Sequence, residues 1–138
     1  MGEALDTVER MLAALAAGDR QTLLELLAEN VVMEAPGGAR VVGREAAVAH
    51  SDALMSAFGD VEIDPNLLVE QGPLVVEEYT LTARHTGVFT TADGEPIPAS
   101  GNRVSLRIVE IYRVDAGLIT ENRIYFDETL LLRQLRGR

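Results

Sequence analysis

Apolar residues recur at helical spacing through the first part of the chain and at alternate positions through the rest. Leu5, Val8, Met11, Leu12 and Leu15 form one apolar stripe, which predicts an amphipathic helix. Gly18 supplies a left-handed cap at its end. Asp19 caps a second predicted helix over residues 20–29, built on Leu23, Leu24, Leu26 and Leu27. Residues 31–33, Val-Val-Met, read as a short strand that Pro36-Gly37-Gly38 breaks. Residues 43–58 predict a third helix, with Ala46, Ala47, Val48, Leu54, Met55 and Phe58 on its apolar positions.

Beyond this point the period changes to two. Strands are predicted over residues 61–70, 74–86, 103–114 and 118–126. Gln71-Gly72-Pro73 and Asp115-Ala116-Gly117 mark tight turns between consecutive strands. Residues 90–101, with Gly94, Pro96, Pro98 and Gly101, form a longer connection or a broken hairpin. Residues 130–135 close the chain as a short helix or tail. Helices followed by an antiparallel meander give an α+β fold, not an alternating one. A strongly twisted sheet with helices across one face makes a cone, and its concavity is where a small-molecule site is expected.

Composition narrows the chemistry. The 138 residues amount to one domain, and an apolar content of 47% can build a core. The formal charge is −10, and all 12 basic residues are Arg. That balance argues against general nucleic-acid binding. Without Cys there is no disulfide, thiolate nucleophile or Cys-held metal. Without Lys there is no Schiff base and no P-loop lysine. His50 and His85 are too few for a three-histidine metal site. No apolar run approaches the ~20 residues of a membrane span. The acidic start MGEALDTVER lacks the basic region of a signal peptide, so a cytoplasmic protein is expected.

Three segments carry a resemblance. LAALAAGDRQTLLELLAENVVMEAPGG resembles the opening of the nuclear transport factor 2-like superfamily. VVEEYTLTARHTGVF and SGNRVSLRIVEIYRVDAGLITENRIYFD resemble its SnoaL-like, polyketide cyclase-like branch. The likeness spans about residues 5–135 and implies one SnoaL-like domain over residues 1–138. It implies a cone of three helices and a curved sheet around an apolar pocket, and homodimers through the outer sheet face. It further implies a small apolar ligand and ring closure by an intramolecular aldol step without metal or cofactor, with a pocket Asp or His as acid/base. The superfamily also holds isomerases, epoxide hydrolases and non-catalytic binding modules, so fold alone leaves function open.

Candidate residues follow. Asp127 ends the last strand after Ile124-Tyr125-Phe126. Facing the pocket, it would have a raised pKa suited to proton abstraction beside a carbonyl, a role the resemblance also implies. The alternative is a helix cap for the segment after it. On the second long strand Glu77, Tyr79, Leu81, Ala83 and His85 share a face, with Thr80, Thr82 and Arg84 on the other. Tyr79 matches a position where relatives carry a pocket Trp, which sets His85 at the pocket as a second acid/base or as a core histidine. Glu110 alternates with Ile108 and Tyr112; it is a second pocket acid, or, the favoured reading, a partner of Arg123. Arg123 shares parity with Tyr125 and Asp127 and either orients Asp127, polarises a substrate oxygen, or sits on the surface. Met55, Phe58 and Tyr112 complete the expected wall. Glu34 is expected in a solvated loop and His50 on an exposed helix face. The epoxide hydrolases of the superfamily carry Arg-x-Asp on the second long strand; Arg84-His85-Thr86 lacks that acid, which disfavours their reaction. The oxyanion-hole Tyr and protonated Asp of the isomerases have no match either. The reading is thus a cofactor-independent acid/base enzyme, polyketide cyclase- or isomerase-like, on a small apolar carbonyl compound; the alternatives are a ligand-binding module of the same fold and, second, an epoxide hydrolase-like enzyme, whose partner acid Asp127 would match.

Overall fold

A computed structural model describes residues 2–137. Helix α1 spans Glu3–Ala17, and its C-cap Gly18 adopts φ 68°, a left-handed conformation open to glycine. Its N-terminus is held from elsewhere: Glu70 accepts hydrogen bonds from the backbone of Gly2 at 2.9 Å and Leu5 at 2.7 Å. Helix α2 spans Arg20–Leu26, capped by Asp19, whose side chain accepts from the Thr22 backbone. It is shorter than the leucine spacing predicts. Leu27 is already extended and opens strand β1, Leu27–Ala35. Strand β2 follows at Ala39–Val42 and helix α3 at Arg44–Met55. Phe58 therefore leaves the helix and opens strand β3, Phe58–Gln71.

Strands β4 (Leu74–His85), β7 (Arg103–Asp115) and β8 (Leu118–Tyr125) form the expected meander. Between them, the short pair β5 (Phe89–Thr90) and β6 (Pro96–Ile97) resolves residues 90–101 as a broken hairpin. Helix α4 spans Glu128–Arg136. The sheet order is β2-β1-β8-β7-β4-β3, with β1 parallel to β8 and every other pair antiparallel. Strand β3 lies at the sheet edge, where a proline such as Pro65 is tolerated. The β7–β8 turn places Ala116 at φ 51° and Gly117 at φ 74°, as a two-residue hairpin loop requires.

Two apolar clusters cover the inner face. Helices α1, α2 and α3 bury Val8, Met11, Leu26 and Val48 against Val31, Val75, Tyr112 and Ile119. Helix α4 and the β5–β6 pair bury Leu131, Leu135, Phe89 and Ile97 against Leu81, Val104, Leu106 and Ile108. Among the described residues, no helix is long and apolar enough to cross a membrane.

Candidate functional site

A cavity of about 320 Å³ lies between the helices and the inner sheet face, where the two clusters meet. Leu12, Leu23 and Met55 line it from the helix side, and Leu81, Leu106 and Ile108 from the sheet. Its lining is largely apolar. Against that background stand Glu77, Tyr79, Glu110, Tyr112 and Asn122.

Alternation builds this polar group. In β4 and β7 every second residue points inward. Glu77 lies directly opposite Glu110, and Tyr79 opposite Ile108, across the antiparallel pair. Side chains in such opposed positions have Cβ atoms about 5 Å apart. Tyr112 donates its hydroxyl to Glu77 at 2.8 Å. Tyr79 donates to one oxygen of Glu110 at 2.6 Å, and the Asn122 amide to the other at 3.2 Å. Both carboxyl groups are thus gripped by neighbours and open onto apolar space.

Burial raises the Glu77 pKa above 4.5; the Tyr112 hydrogen bond opposes the rise and the facing Glu110 charge adds to it. Burial, together with the two carboxylates, also raises the Tyr79 and Tyr112 hydroxyls, so both remain donors. Burial thus favours the protonated form of Glu77. Glu110 accepts two hydrogen bonds, one at each oxygen.

Of the residues expected from the sequence, Tyr79, Tyr112, Glu110, Met55 and Phe58 line the cavity. Arg123 does not. Its backbone pairs with Ile111, one register position from Glu110, so it lies on the outer face and makes no pair with that acid. Parity with Tyr125 and Asp127 holds, but the inward residues of β8 are Asn122 and Ile124. Asp127 is exposed and accepts from the Leu130 backbone at 3.0 Å, so its carboxylate caps α4 and is absent from the cavity lining. His85 points inward as expected but lies beyond the lining, fully buried. Its Nδ1 accepts from the Ser100 backbone at 3.2 Å and lies 2.8 Å from the Ser100 hydroxyl. That leaves the proton on Nε2, which finds no partner among the described residues. The ring of Phe58, which lines the cavity, stands 6.5 Å from the imidazole. Glu34 is exposed, 3.9 Å from Arg40, and His50 is half-buried on α3. Arg84 is exposed near Asp60, away from the cavity.

Sequence reasoning passed over Glu77 and Asn122. The signal for Glu77 was present: an alternating strand carrying Glu77-Glu78 must turn one of them inward.

A curved six-stranded sheet folded over a side-chain-lined cavity is the cone of the nuclear transport factor 2-like proteins. Within that class the chain belongs to the SnoaL-like polyketide cyclase family, which matches residues 5–135. No curated protein matches it in sequence. Among solved structures it is similar to a protein from Jannaschia sp. CCS1 named for the SnoaL-like polyketide cyclases. The TM-score is 0.87 at 22% identity, covering 99% of this chain and 93% of that one. IdmH of Streptomyces antibioticus, also named for the polyketide cyclases, gives 0.76 at 24% identity, covering 98% and 99%. An LEH-like epoxide hydrolase of M. tuberculosis gives 0.71 at 24%, covering 98% and 90%. These likenesses describe the fold, and one fold carrying cyclases and an epoxide hydrolase leaves the reaction to the site.

Proposed function

We propose that the chain is a cofactor-independent acid/base enzyme acting on a small apolar carbonyl compound, with Glu110 and Glu77 as its working pair. The observation that carries this reading is their opposition across the cavity wall, where burial favours the protonated form of Glu77. Glu110 removes the proton on the carbon next to the carbonyl. Glu77 gives its proton to the carbonyl oxygen, so an enol forms without a free enolate charge. Tyr79 and Asn122 hold Glu110 in place, and Tyr112 holds Glu77. The apolar lining keeps water away and strengthens both transfers. The same enol, facing a second carbonyl of the molecule, closes a ring. The catalytic roles read from the sequence for Asp127 and His85 pass to this pair, because neither residue borders the cavity.

The test is proton exchange. Wild-type protein in heavy water should place deuterium beside the carbonyl of simple aryl ketones. Glu110→Gln should lower that rate by about 100-fold, within the usual range for a general base, and Asp127→Asn should leave it unchanged. Binding of the ketones without exchange would instead favour a ligand-binding module. The homodimer expected from the resemblance belongs to this proposal and rests on the outer sheet face. Val76, Val109 and Ile111 are half-buried there, beside Val69 and Tyr125, each 52% exposed.

A further inference from the structure

We infer that the cavity is built for an apolar molecule carrying a positively charged nitrogen, seated between the Glu77–Glu110 pair and the aromatic side chains of the wall. The inference rests on the same site as the proton-transfer reading and narrows its substrate to carbonyl compounds that bear such a nitrogen.

Three features of the cavity converge. Its ionisable acids are Asp52, Glu77 and Glu110, and among the described residues no arginine lines it, nor does either histidine. Five of the six aromatic side chains in the chain do line it: Phe58, Tyr79, Phe89, Tyr112 and Phe126. Aromatic faces attract organic cations through the ring quadrupole, and aromatic cages hold quaternary nitrogens in this way. The third feature is the polarity of what remains free. The hydroxyls of Tyr79 and Tyr112 and one amide proton of Asn122 already point at carboxyl oxygens. An incoming group therefore meets mostly lone pairs. A cation answers them, an anion is repelled, and a neutral carbonyl finds chiefly the Glu77 proton.

Calorimetry on the whole chain with benzyltrimethylammonium, acetophenone and phenylacetate tests this. The quaternary ion has no proton of its own. It should bind about tenfold more tightly than acetophenone, with phenylacetate weakest. Its affinity should fall in Glu110→Gln. The comparison of ligands needs wild-type protein alone, so a variant that fails to fold leaves it intact. Equal or tighter binding of acetophenone, or an affinity for the quaternary ion that Glu110→Gln leaves unchanged, overturns the inference. Ketone exchange alongside a failed cation preference sinks this inference and leaves the proton-transfer reading standing; the reverse result does the opposite.

Discussion

Glu77 is buried beside Tyr112, and its carboxyl holds a proton above the ordinary value of 4.5. The unfolded chain ionises first as pH rises. The stability that the neutral carboxyl contributes is therefore whole below about pH 4.5 and is lost as pH climbs through the raised folded value. Glu77→Gln keeps a polar group of the same shape but cannot ionise. Urea midpoints at pH 5 and pH 8 should therefore differ less in Glu77→Gln than in the wild type. An identical pH difference in the two proteins would show that Glu77 is not protonated in the fold. Strand parity alone put Glu77 in the same row as Tyr79. What it did not supply was the partner, because the opposition to Glu110 depends on where the β4–β7 ladder registers. That register follows from connections far from either residue. Arg123 shows the same limit: its parity group was legible, and the face that group turns to was not.

Elements were legible where the apolar period was long. The stripe of α1 and the alternation of β4 and β7 predicted those segments within a few residues. Boundaries failed where apolar residues satisfy both periods. Leu26 and Leu27 suit a helix or a strand; Leu26 ends α2, while pairing with Ile119 of β8 takes Leu27 into β1. Asp127 is a case of one residue type with two structural uses. At the end of β8 it reads as a pocket acid, but α4 begins at the next residue and its open backbone donors take the carboxylate. Asp127→Ala should accordingly cost about 1 kcal/mol of stability, as loss of a helix cap does, with ligand affinity unchanged. Equilibrium unfolding and a binding titration on the same sample check both halves. A loss of binding with stability preserved would return Asp127 to the cavity.

At the scale of the molecule, charge and the outer sheet face oppose each other. Val69 pairs with Val76, and Val76 with Ile111, so one apolar row crosses three strands on that face. Leu67, Glu78, Val109 and Tyr125 form the next row. A second copy laid across these rows buries them, which favours association. Each chain also carries a formal charge of −10, and two copies repel. Salt screens that repulsion, with a Debye length of about 8 Å at 0.15 M and about 30 Å at 0.01 M, while it leaves apolar burial largely intact. The proposed homodimer should therefore be tighter at 0.15 M than at 0.01 M salt, the reverse of an interface held by opposite charges. Sedimentation equilibrium at the two salt concentrations measures this directly. Val76→Asp adds a charge at the centre of the row and should give a monomer at both, while the cavity, on the other face of the sheet, keeps its ligand affinity. A wild-type monomer at every concentration, or a dimer that Val76→Asp does not weaken, would remove the outer face as the interface.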